Sequence, residues 1–159
     1  MKRPLLTVTV VTLLAATACG VVGVVGEPLV SSTLTGQFNG QSFQPAFGVA
    51  TVYQGSNLIA LGDGALNCAS TQQNDPPMGT TATFSVPTLD VGTYPSIFLE
   101  MDQYEARNLD GVGSNDATVM LTAVSATSVA GTVAYSYTDS STGGTYSLSG
   151  SFEVSRCPM

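Results

Sequence analysis

Five of the chain's eleven acidic residues crowd into one stretch: Glu100, Asp102, Glu105, Asp110 and Asp116. Clustered carboxylates suit two chemistries. The first is calcium binding, since Ca²⁺ takes about six to eight oxygen ligands. Asp110, Asn115 and Asp116 supply side-chain oxygens in the run Asp110-Gly111-Val112-Gly113-Ser114-Asn115-Asp116. That run does not match an EF-hand loop. It reads as a solvated loop, and no metal is expected on it. The second chemistry is glycoside hydrolysis, which places two carboxyl groups about the scissile bond. Glu100 and Asp102 share one face of an extended segment. The chain has no Trp to serve as a sugar platform, and only 9% of its residues are charged. Few groups are therefore available to drive two carboxyl pKa values apart.

Other catalytic classes fall on composition. There is no His, which removes imidazole catalysis and histidine metal ligation. Serines abound, but a serine nucleophile needs a neighbouring base, and the one lysine is Lys2. No enzyme activity, catalytic residue or cofactor is expected. Four Lys and Arg against eleven acids leave no basic stripe for nucleic acid. Tyr94 and Tyr104, near the acidic stretch, are the candidates for an exposed binding contact. Tyr135, Tyr137 and Tyr146 alternate with Val and Leu and read as core.

The three cysteines carry more information. Met1-Lys2-Arg3 precedes an apolar run from Pro4 to Leu14, then small residues ending at Cys19. A short cationic region, an apolar core and a small-residue cleavage zone form a secretory signal peptide. The apolar run falls short of the roughly 20 residues that span a bilayer. The sequence Ala16-Thr17-Ala18-Cys19 resembles the lipobox of bacterial lipoproteins, with Ala16 in place of the preferred Leu. The resemblance implies cleavage before Cys19, lipidation of Cys19 and firm anchoring through more than one acyl chain. Gly20 stands where inner-membrane retention usually takes Asp. In a host with two membranes this implies the outer one. Ordinary cleavage nearby is the alternative, but it leaves a free thiol on an exported chain.

Loss of residues 1–18 leaves 141 residues. Arg107 and Arg156 are then the only cations against eleven acids, a net charge of −9. Such a body offers anionic lipid nothing to hold. With Cys19 lipidated, Cys68 and Cys157 form an even pair in an oxidising compartment and read as a disulfide. A redox pair is the alternative, with Arg156 beside Cys157, but there is no CxxC motif.

The elements that must position these residues are almost all β. Residues 19–32 read as a Gly-rich tether and 33–159 as one domain. Asn39-Gly40 between Thr33–Phe38 and Gln41–Pro45 predicts a type I′ hairpin, because both central positions need positive φ. Phe47–Gln54, Asn57–Asp63 and Thr80–Val86 follow as strands. Residues 69–79 read as loop. Thr93–Met101 is a strand that Pro95 marks for an edge or a bulge. Glu100–Leu109 admits a short helical turn. Ala117–Val124, Ser128–Thr138 and Thr145–Val154 close the chain. In the last pair, odd positions on one strand and even positions on the other carry the apolar face. A loop from Asp139 to Gly144 sets Thr138 against Thr145, Gly131 against Phe152 and Gly150 against Val133.

The expected fold is all-β: an antiparallel β-sandwich, or barrel-like, of eight or nine short strands. The motifs Gly36–Phe43, Gly131-Thr132-Val133, Gly150-Ser151-Phe152-Glu153-Val154 and Cys157 resemble small β-sandwich lipoproteins of large-genome bacteria. That resemblance implies an extracytoplasmic role and carries over no catalytic residue. The expected function is a lipid-anchored, non-catalytic binding or structural module of the cell envelope. Its partners are the membrane, through Cys19, and an envelope protein or glycan. A carboxylate-based hydrolase of cell-surface polysaccharide is the alternative.

Overall fold

The computed structural model describes residues 26–73, 78–105 and 108–158. The signal segment and Cys19 lie outside the described residues. Among the described residues ten strands form in chain order. They are β1 (Ser31–Ser32), β2 (Thr35–Phe38), β3 (Gln41–Phe43), β4 (Phe47–Tyr53) and β5 (Ser56–Gly62), then β6 (Gly79–Val86), β7 (Gly92–Glu105), β8 (Asn108–Val124), β9 (Ser128–Thr138) and β10 (Thr145–Arg156). One short helix, α1 (Cys68–Gln73), lies between β5 and β6.

Strands β4 to β10 pair in succession, each antiparallel to the next. The ring then closes where Ser155 and Arg156 of β10 run parallel to Val49 and Ala50 of β4. The expected sandwich is thus a closed seven-strand barrel with added strands. β10 makes the closure possible. One edge pairs with β9 from Thr145 to Ser155. The other edge is shared by β2, β1 and β4 in turn. Closure leaves no free sheet edge at that seam. In-and-out alternation is the same for a sandwich and a barrel, so the pattern alone does not separate them.

The closing hairpin holds the expected register throughout. Thr145 opposes Thr138, Leu148 opposes Tyr135, Gly150 opposes Val133 and Phe152 opposes Gly131. Phe152 is 2% exposed, and its ring tip lies 3.1 Å from where a Cβ on Gly131 would sit. The first hairpin pairs Gly36 with Phe43. Asn39 and Gly40 both have positive φ, 49° and 78°, as a type I′ turn requires. The barrel is filled by side chains, among them Phe43, Phe84, Ile59, Leu99, Leu121 and Leu148. Phe84 meets Phe152 edge-on, with centroids 6.1 Å apart. Tyr135 and Tyr146 are buried with them, as expected.

Three local expectations change. Residues 68–73 are helical rather than loop: Asn67 caps α1, its Oδ1 accepting the Ser70 amide at 2.9 Å. The acidic stretch is neither helical turn nor loop; β7 runs on to Glu105, and β8 begins at Asn108. Residues 26–32, read as tether, lie along the barrel. The Glu27 amide bonds to the Leu66 carbonyl, Leu29 to Ala46, Val30 to Glu153, and Pro28 bridges to Phe47. Of the edge or bulge expected at Pro95, the structure shows a bulge. The β7–β8 register shifts between Tyr94 and Ile97, and Ser96 takes φ 56°. At Pro95 β7 has outrun β6, whose pairing reaches only Leu99, so the missing N–H breaks no ladder on that side.

Candidate binding groove on the outer wall

A second, smaller apolar cluster sits outside the barrel. Val49 and Ala60 face outward from β4 and β5, and Leu66, Phe47, Cys68 and Cys157 pack on them. The Cys68–Cys157 disulfide ties the start of α1 to the chain end, with Cα atoms 5.5 Å apart. It is the expected pairing. Gln72 of α1 donates to the Thr51 hydroxyl of β4 at 3.3 Å. The helix thus lies along β4, and a groove of about 350 Å³ opens beside it.

Strand alternation builds the groove floor row by row. Ala60, Thr83 and Glu100 lie in one row across β5, β6 and β7. Gly62, Thr81, Asp102 and Gly111 form the next row, which reaches β8. Tyr104 and Leu109 pair in the row beyond. Ser70 and Thr71 of α1 line the opposite side, and Tyr53 and Leu58 complete it. The inward neighbours Leu99 and Met101 are wholly buried. Their anchoring in the core holds Glu100, Asp102 and Tyr104 pointing out.

Asp102 is the centre of this arrangement. It is 8% exposed, yet among the described residues none donates it a hydrogen bond. Its carboxyl lies across Gly111 of β8, where a Cβ would collide with Oδ1. Glycine at 111 is what leaves room for it. Burial, and secondarily the Glu100 carboxylate, pushes the Asp102 carboxyl up to about 6. The Tyr104 hydroxyl is pushed up too, first by burial and then by Asp102 and Glu100.

The expected site residues separate on the structure. Tyr104 lines the groove. Tyr94 does not. Its hydroxyl donates to the Asp90 carbonyl at 2.7 Å and bonds Thr88 at 3.1 Å, so it staples its own turn. Asp110, Asn115 and Asp116 are strung along β8. At about 3.3 Å per residue, Asp110 and Asp116 stand roughly 20 Å apart, too far to share an ion. Asp116 instead accepts the Ser114 hydroxyl at 2.7 Å. Thr81, Thr83, Ser70 and Tyr53 were not singled out in the sequence. The polar face of β6, alternating with Ala82 and Phe84, was the available signal for the two threonines. Nothing in the sequence pointed to α1 covering that face.

Fold and site together define a small all-β barrel whose ligand-sized groove lies on the outer wall rather than in the barrel mouth. Comparison with known proteins finds no matching family model, no matching curated protein and no matching solved structure.

Proposed function

We propose that the protein is a lipid-anchored, extracytoplasmic binding module of the cell envelope, and that it takes its ligand in the outer-wall groove without transforming it. The groove carries the reading. It falls within the roughly 300–1,000 Å³ of small-molecule sites, mixes apolar walls with hydroxyls, and holds one buried carboxylate that the described protein residues leave without a donor. Export is supported by the signal architecture ending at Cys19 and by a disulfide, which persists in oxidising compartments. The lipid on Cys19 supplies the anchor. No helix among the described residues is long and apolar enough to cross a membrane.

Crosslinking in native membranes tests the reading. A photoreactive residue at Thr83, on the groove floor, should capture one reproducible envelope component, and the same residue at Thr132 on β9 should not. Equal capture from both positions overturns the groove as the binding surface.

One observation favours a second reading, a carboxylate-based hydrolase of cell-surface polysaccharide. Burial, and secondarily Glu100, pushes the Asp102 carboxyl up to about 6, toward the range in which a carboxyl serves as general acid. Release of reducing sugar from envelope polysaccharide, lost in Asp102→Asn, would favour it over simple binding.

A further inference from the structure

The ligand's chemistry follows from what the groove lacks. A buried ionised carboxylate is costly unless a cation or several donors compensate it. Asp102 is buried and opens into the groove, yet none of the described residues around it is a lysine or arginine. Across the strands it faces Thr81 and Gly111, neither of which carries charge. Along its own strand it faces Glu100 and Tyr104, and Glu100 adds negative potential. Arg156, the one cation among the described residues, donates to the Ser125 carbonyl at 2.9 Å, away from the groove. Among the described residues no cation pairs with this carboxyl, so its charge is open to a cation entering the groove.

The remaining lining fits the rest of such a molecule. Tyr53 and Tyr104 line the groove, and aromatic rings attract a cation. Leu58, Leu66 and Leu109 offer an apolar surface for a hydrocarbon body. Thr81, Thr83 and Ser70 hydroxyls can accept further N–H bonds.

We propose that the groove binds a small organic ammonium compound, its charged nitrogen on Asp102 and Glu100 and its apolar body against Leu58, Leu66 and Leu109. This rests on the groove being the binding surface. A neutral sugar would meet the hydroxyls but would leave two adjacent carboxylates without a counter-charge.

Three probes sharing one apolar body separate the possibilities: 4-phenylbutylamine, 4-phenylbutanol and 4-phenylbutyrate, titrated calorimetrically into the purified protein at pH 8. The amine should bind at least about tenfold more tightly than the alcohol, because a charge-assisted bond exceeds a neutral one. The carboxylate should bind more weakly than either. Asp102→Asn should remove most of the amine's advantage over the alcohol, with an unchanged circular dichroism spectrum reporting that the variant is folded. Glu100→Gln should reduce the amine's advantage partly. If amine and alcohol bind wild type equally, the ammonium assignment is wrong while the groove remains a binding surface. If the amine keeps its advantage in Asp102→Asn, the charge is read elsewhere and the assignment to Asp102 fails. If no probe binds, the ammonium proposal falls, and the crosslinking result at Thr83 decides separately whether the groove takes another ligand.

Discussion

Substitution of Asp102 by Asn should make the protein more stable, and increasingly so as the pH rises. The carboxyl titrates near 6 in the folded chain against 3.8 for the ordinary group. Its folded pKa is raised, so between those values the folded protein keeps a proton that the unfolded chain has released. Stability therefore falls as pH climbs from about 4 to about 6 and stays lower above it. Roughly two pKa units at about 1.4 kcal/mol each set a ceiling near 3 kcal/mol. Because the carboxyl opens into the groove, about 1–2 kcal/mol is the working expectation. Asparagine keeps the shape and never ionises, so the variant lacks this slope. Urea unfolding followed by circular dichroism at pH 4, 5, 6, 7 and 8 measures it, with the difference between variant and wild type cancelling the other carboxylates. The difference should be smallest at pH 4 and grow by about 1–2 kcal/mol up to pH 7. That corresponds to roughly 3–7 °C in Tm for a domain of this size. Parallel stability curves at every pH would refute the argument, since they would mean that Asp102 titrates alike in both states.

Other expectations concern the core, the crosslink and the chain's start. Phe152→Ala should cost about 3–5 kcal/mol, because the ring is buried against Phe84 and covers Gly131; a loss under about 1 kcal/mol in denaturant titration would contradict that packing. Removing the disulfide by Cys68→Ser with Cys157→Ser opens a link between residues 89 apart and should lower stability by about 4–5 kcal/mol in the chain-entropy account. Alkylation of the native oxidised protein should find both thiols blocked. Intact mass of membrane-extracted protein should show a chain beginning at Cys19 and carrying lipid; a soluble, unmodified chain would sink that expectation. Millimolar calcium should leave Tm unchanged, because Asp110 and Asp116 are spread along β8. A calcium-dependent rise abolished by Asp110→Asn with Asp116→Asn would show otherwise.

Much of the fold was legible locally. Asn39-Gly40 dictated its turn because few residue pairs tolerate two positive φ values in succession. The opposite parities of β9 and β10, with a six-residue loop between them, allowed one register that set each glycine against a larger side chain. A proline at 95 announced an edge or a bulge because it has no N–H to give a ladder; the structure makes it a bulge. The leftover cysteine pair named its own bond, since an exported chain leaves few thiols free. These are short-range or combinatorial constraints, readable from neighbours in the chain.

What the sequence could not supply were the decisions made between distant segments. The acidic stretch looked like loop because its polar residues and glycines break simple alternation. In the structure β8 switches inward parity between Ser114 and Ala117, at the register shift opposite Ile97 and Leu99, so no single period describes it. Closure into a barrel was decided by two residues at the end of β10 meeting β4, a contact that leaves no mark on either strand's hydrophobic pattern. The groove has the same origin. Glu100 and Asp102 were visible as a pair, but Gly111 beneath the carboxyl, Thr81 beside it and α1 along the wall come from separate stretches of chain. Burial of Asp102, and with it the raised pKa, is a property of that assembly. Alternation along a strand says which side chains face away from the core; only the packing of other elements on that outer face determines whether they meet water.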